Sequence, residues 1–193
     1  MNEEILKKNF QNKILNYAKT NFKKILILLI SLIILLFTYL VYKNLQKKNE
    51  IILSQNYTQA VVQFKQKKTK ESKLLLENII DKSHKFYSPL ALYFIIDNNL
   101  ENDSIKIINF FDKILKIRSI DKENLNLIKI KKAIFLFNNG DEDLIVKTLN
   151  PVINSDSVWR NLAITLISDY FLSKNQKKKA NEYIQLLNNK KNK

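Results

Sequence analysis

The chain has 193 residues, a formal net charge of +15, no cysteine, one glycine, two prolines and one histidine. With Gly140 as the lone glycine there is no glycine-rich phosphate loop, which excludes P-loop and dinucleotide-binding chemistry of that kind. Without cysteine there is no disulfide framework, thiol nucleophile or cysteine-ligated zinc, and His84 has no second histidine for a relay.

Residues 1–24 carry six lysines and two glutamates and read as a cytoplasmic basic segment. Ile25 to Tyr42 follows as ILILLISLIILLFTYLVY, eighteen residues without a charge. As a helix this stretch is about 27 Å long, close to the roughly 30 Å hydrocarbon core of a bilayer. It has no polar face, unlike a helix that covers a soluble core. Lysines flank both ends, and Tyr39 and Tyr42 stand where interfacial aromatics belong. A signal peptide is the competing reading, but its apolar region is shorter and ends at a small-residue cleavage site. Tyr-Lys-Asn-Leu-Gln-Lys-Lys follows here, so an uncleaved anchor is expected. Six lysines before the segment, against three in the twenty residues after it, place the N-terminus inside. That puts residues 43–193 outside the cytoplasm, in the periplasm of a Gram-negative cell.

Beyond the anchor, residues 43–189 break into eight apolar-periodic stretches. The first, about 48–67, meets no glycine or proline that would part it from the anchor. The second spans about 70–83. The third starts at Ser88-Pro89, a cap residue followed by proline at the first helical position, and runs to about Asn98. The fourth starts at Asp103 and sets Ile107, Ile108, Phe111, Ile114 and Leu115 on one side. The fifth runs from about Asp121 to the Asn139-Gly140 stop signal. The sixth, about 142–153, contains Pro151, which should end or bend it near Asn150. The seventh starts at Asp156 and carries Trp159, Leu162, Ala163, Leu166 and Ile167. The eighth, about 176–189, carries Ala180, Tyr183 and Ile184, and a basic tail, 190–193, follows.

Pairing these stretches gives inner turns near 68, 100, 140 and 175. An interval near 34 residues with two helices per unit is the signature of a tetratricopeptide array. The expected fold is therefore all-α: one transmembrane helix, then a degenerate tetratricopeptide-like α-solenoid of about four helix pairs. An ordinary helical bundle is the competing architecture. Small residues fall at Ala60 and Ala133 in first helices and at Ser72 and Ala180 in second helices, with no clear match in the second pair.

The charge does not point to nucleic acid. Only Arg118 and Arg160 are arginines, and arginine is the residue favoured for bidentate phosphate and base recognition. The abundance of Lys, Asn and Ile reads in part as the imprint of an AT-rich genome. Residues 86–173 sum to −1, so the excess lies around the anchor and at the tail. Basic residues beside a membrane segment suit an anionic lipid surface, and a solvated lysine face is the plainer alternative.

The order of elements, with Gly140-Asp141, then Leu149-Asn150-Pro151-Val152, then Trp159-Arg160 with Ala163, then Ala180, resembles the membrane-anchored tetratricopeptide-like proteins of proteobacteria that serve as ancillary Sec translocon subunits. The resemblance covers almost the whole chain and is most specific from Gly140 to Ala163. It implies an inner-membrane protein whose periplasmic repeat domain sits beside the translocon with other chaperones and assists emerging chains. It implies no enzymatic activity, cofactor, metal or small-molecule substrate. The partners it implies are proteins and the lipid bilayer. The rival function is a cytoplasm-facing membrane-tethered scaffold for another complex.

Tetratricopeptide arrays bind ligands on the concave face lined by the first helix of each pair. Counting back from the inner turns places Phe94, Ile134, Phe137 and Leu172 there, the alternative being that they pack between helices. Trp159 at a helix start reads as core, Pro151 as a terminator and His84 as a surface or capping residue. Asp141-Glu142-Asp143 complements the dipole of the sixth helix.

Overall fold

A computed structural model describes residues 7, 13, 19–139 and 142–188. Among them the chain forms α1 (Phe22–Lys65), α2 (Thr69–Asp81), α3 (Tyr87–Asp97), α4 (Ser104–Leu115), α5 (Lys122–Asn139), α6 (Glu142–Ile153), α7 (Arg160–Ser173) and α8 (Lys177–Asn188), with no strand. Gly140 and Asp141, expected at the turn before the sixth helix, lie outside the described residues. The chain divides into two compact units, Met1–Ile52 and Leu53–Lys193.

In the first unit, α1 is long and apolar enough to cross a membrane, and none of its most apolar window is covered by protein. The expected limits, Ile25 and Tyr42, both fall inside α1, which continues unbroken past them. The two polar interruptions satisfy themselves. Ser31 Oγ donates to the Leu28 carbonyl at 2.8 Å and Thr38 Oγ1 to the Leu35 carbonyl at 2.9 Å. A hydroxyl bonded to its own helix presents no unmet donor to hydrocarbon.

In the second unit, the last part of α1 and the seven helices after it share two groups of buried side chains. One runs from Leu53 and Ala60 through Leu76, Ile80, Leu92, Ile95 and Phe111 to Ile128. The other runs from Ile130 and Ala133 through Leu149, Ala163, Ile167 and Phe171 to Ala180. Helix α5 serves both because Ile128 and Ile130, two residues apart, project to opposite sides of a helix.

Helices meet their neighbours in sequence, and five of them also reach the next but one. Tyr57 and Phe64 of α1 stack edge-on against Phe94 of α3, with centroids at 6.1 and 5.4 Å. Lys106 of α4 reaches Glu77 of α2 at 2.7 Å. Lys131 of α5 lies over the Tyr93 ring of α3 at 4.5 Å. Phe137 of α5 meets Tyr170 of α7 at 5.3 Å, and Lys179 of α8 pairs with Glu142 of α6.

Three tight turns repeat one hydrogen-bond pattern. Lys67, Asn99 and Asn175 have positive φ of 62°, 50° and 58°. In each case the amide of the left-handed residue bonds back three residues and the following amide bonds back five: Lys68 to Gln63, Leu100 to Ile95 and Gln176 to Phe171. This double bond closes the preceding helix and reverses the chain. Asparagine tolerates the conformation, whereas lysine costs about 1 kcal/mol there. Small residues stand at matching offsets around these turns, with Ala60 and Ser72 about Lys67, and Ser168 and Ala180 about Asn175. All four are at most 1% exposed. Ser168 Oγ donates to the Ala180 carbonyl at 3.2 Å, so the two backbones approach closely. Ala133, also fully buried, takes the same place in α5.

Three local expectations are corrected. Helix α3 begins at Tyr87, and Ser88 is not its cap. Ser88 is buried; its Oγ accepts from His84 N and donates to the Ile79 carbonyl. The helix start is held instead by His84 Nδ1, which accepts from the amides of Phe86 and Tyr87 at 3.2 Å. Pro151 does not stop α6 at Asn150: it sits in the last turn, and the Asn154 amide still bonds Asn150. A proline there forfeits one helical bond without breaking the element. Helix α7 begins at Arg160, not Asp156, because Ser157 takes the turn: its Oγ accepts from Trp159 N and donates to Glu123 at 2.6 Å.

Candidate partner-binding surface

The four residues expected on a binding face separate into two kinds. Phe94 is half-buried between Tyr57 and Phe64, and Phe137 is half-buried against Tyr170. Both serve packing. Ile134 and Leu172 are 53% and 44% exposed on α5 and α7, as a contact face requires. Phe86 and Leu162, which sequence reasoning passed over, are 60% and 46% exposed.

One groove lies between α3 and α5, the first helices of the second and third pairs. Its walls are Lys85, Phe86, Pro89, Leu90 and Tyr93 on one side and Asn124, Leu127 and Ile128 on the other. The proline and the aliphatic side chains make the floor apolar. Burial pushes the Tyr93 hydroxyl up to about 12, so it is a neutral donor at physiological pH. Asn124 is held in place by Asp121, whose carboxylate accepts from both the Asn124 amide and its side chain.

The charged side chains nearby mostly brace the helices. Glu101, 9% exposed, takes Lys73 at 2.8 Å and Lys106 at 3.2 Å. The Lys73 hydrogen bond, helped by the Asp103 amide and Lys106, holds its carboxyl at about 2. Lys132, almost fully buried, pairs with Asp112 at 2.6 Å and ties α5 to α4. Burial, with Lys122 nearby, lowers the Lys129 ammonium.

The motif residues of α6–α8 do structural work. Arg160 Nε donates to the Ile153 carbonyl at 2.9 Å and Nη2 to the Leu186 carbonyl at 3.1 Å, so one guanidinium binds the ends of α6 and α8. Trp159 lies half-buried against the second core group, and Ala163 and Ala180 are wholly buried within it. Pro151 is exposed. Among the described residues no group of three or more His, Cys, Asp or Glu side chains is placed to hold a metal ion.

Comparison with protein-family models, with curated proteins and with solved structures gives no match.

Proposed function

We propose that this chain is a non-enzymatic, single-pass membrane protein whose helices α1–α8 form a tetratricopeptide-like array that holds partner polypeptides. The observation that carries the reading is the regular next-but-one contact of the helices. Tyr57–Phe94, Lys131–Tyr93 and Phe137–Tyr170 join the first helices of successive pairs, and the same closing turn recurs at Lys67, Asn99 and Asn175. Repeats that touch only their neighbours leave side chains exposed along the array, and Phe86, Ile134, Leu162 and Leu172 are exposed apolar residues. Exposed apolar side chains suit a protein ligand.

The apolar part of α1 confines the array to a membrane surface. Confinement raises the local concentration of the array for anything at that membrane and offsets weak individual contacts. The sequence resemblance to ancillary Sec translocon subunits, with the lysine bias before the anchor, supports a periplasmic domain that assists chains emerging from the translocon.

Topology tests this first. Ser119→Cys places a unique thiol at an exposed site between α4 and α5. In cells with a permeabilised outer membrane, labelling by an impermeant maleimide without lysis is the expected result. Protection until lysis would overturn the periplasmic reading and assign the domain to a cytoplasmic scaffold. A photo-crosslinker at Ile134 is then expected to capture translocon subunits or nascent secreted chains.

A further inference from the structure

Helix α3 runs parallel to the end of α1. Tyr57 of α1 lies beside Tyr87, with centroids at 6.5 Å, and Phe64 lies beside Phe94 at 5.4 Å. The α2–α3 turn therefore stands at the end of the second unit where the chain enters, at Leu53. Two further turns adjoin it in order. Lys85 and Phe86 face Asn124 and Leu127 at the start of α5. Glu123, also at the start of α5, accepts from Ser157 Oγ at 2.6 Å and from the Val158 amide at 3.2 Å. The α2–α3, α4–α5 and α6–α7 turns thus make one edge.

That edge is basic and carries exposed apolar tips. Lys82, Lys85, Lys116, Arg118 and Lys122 are all exposed on it. Its carboxylates are Asp121, Glu123 and Asp156, with Asp81 matched by Lys113 at 2.7 Å. Five cations against three carboxylates leave an excess of positive charge. Phe86, in the first turn, is 60% exposed, and Val158, in the third, is 78% exposed. Basic side chains interleaved with exposed apolar ones match anionic headgroups lying above acyl chains. The opposite end is lysine-rich too, at Lys65, Lys67, Lys68 and Lys70. What sets this end apart is the anchor. The apolar segment stops at Tyr42, and the chain enters the unit here eleven residues later. Such a tether spans at most about 40 Å, which keeps the edge within reach of a bilayer and raises its effective concentration there.

We infer that the edge formed by the α2–α3, α4–α5 and α6–α7 turns docks on an anionic phospholipid surface, with its basic side chains at the phosphates and Phe86 and Val158 between the headgroups. This goes beyond the partner-holding role and rests on α1 spanning a bilayer.

The test uses the full chain in nanodiscs, with a bimane fluorophore on one introduced thiol and a nitroxide on a fraction of the lipid headgroups. Ser119→Cys puts the probe on the edge, and Asn102→Cys puts it in the α3–α4 turn at the opposite end; both sites are exposed. Quenching at position 119 is expected to rise when phosphatidylglycerol replaces part of the phosphatidylcholine, and to fall back in high salt. Quenching at position 102 is expected to stay low in both. A basic side chain near an anionic leaflet favours docking about fivefold, so Lys85→Gln with Arg118→Gln should lower the docked-to-free ratio roughly 25-fold and remove the rise. Lys65→Gln with Lys70→Gln, at the opposite end, should leave it intact. All four side chains are exposed, so the variants leave the core intact. Quenching indifferent to phosphatidylglycerol, equal quenching at the two positions, or a rise abolished equally by both variant pairs would overturn the docking while leaving the anchor and a partner-holding array in place. A response of the position-119 probe to an oligonucleotide or an acidic protein, with none to phosphatidylglycerol, would overturn it in favour of that partner. Failure of the chain to co-elute with nanodiscs would remove the anchor and the docking together.

Discussion

The Glu101 carboxylate provides the sharpest quantitative test of the packing between helix pairs. It joins Lys73 of α2 to Lys106 of α4 and also accepts from the amides of Asn102 and Asp103. Its carboxyl is held at about 2, against an ordinary 4.5. At 1.36 kcal/mol per unit the shift corresponds to about 3 kcal/mol in total. Lys73 and Lys106 are 29% and 39% exposed, so solvent screening takes roughly half, leaving about 1.5 kcal/mol. The folded pKa is depressed, so this stability is fully present above about 4.5 and is lost as the pH falls from there toward 2. Glu101→Gln keeps an acceptor for the two amides and removes the charge. Urea unfolding of the full chain in neutral detergent, followed by far-UV circular dichroism, is expected to show the variant about 1.5 kcal/mol less stable at pH 7. The gap should close as the pH approaches 2. Asp121 and Glu142 are also shifted down and contribute the same sign in both proteins, so the difference isolates Glu101. A gap that is absent at pH 7, or one that persists unchanged at pH 2.5, would refute the argument.

Other consequences follow from single residues. Ala180→Leu forces a larger side chain into a wholly buried site and is expected to cost about 1–3 kcal/mol, whereas Ile134→Asp, at a half-open site, should cost under about 0.5; chemical denaturation separates them. Arg160→Met removes both carbonyl contacts and should destabilise the α6–α8 end by roughly 2–4 kcal/mol, and Arg160→Lys should not restore it, because one ammonium cannot reproduce the fork. Trp159 fluorescence reports that loss directly. Lys67→Gly relieves the left-handed strain and is expected to raise stability by about 0.5 kcal/mol, read as a higher thermal midpoint, while Lys67→Pro should abolish the turn. His84→Ala removes the acceptor for the first amides of α3 and should cost about 1 kcal/mol, with faster hydrogen exchange at Phe86 and Tyr87.

Much of the architecture was legible in the sequence because it rests on local rules. Eighteen uncharged residues after a lysine cluster need no tertiary partner to read as a span-length helix. The helix starts at Asp103 and Asp121 announce themselves through carboxylates that bond the amides ahead of them, and the structure has both bonds. The burial of Ala60, Ser72, Ala133 and Ala180 followed from their spacing about the turns, since only small residues let two helices approach closely.

Tertiary structure decided the rest. Ser88-Pro89 looked like a helix start, yet Ser88 was drawn inside to serve the end of α2, and His84 took its place. Arg160 looked like a motif residue, and only the meeting of two helix ends gave its guanidinium a task. Phe94 and Phe137 looked equivalent to Ile134 and Leu172, because an apolar side chain in a helix buried on several sides carries no mark of which side faces solvent. That choice depends on the rotation of each helix against its neighbours, which is settled by contacts such as Tyr57–Phe94 and Phe137–Tyr170 between residues more than thirty positions apart. Local sequence sets where helices begin, end and bury their small residues. Which apolar and charged side chains stay exposed, as Phe86, Lys85 and Lys131 do, emerges only once the helices have packed.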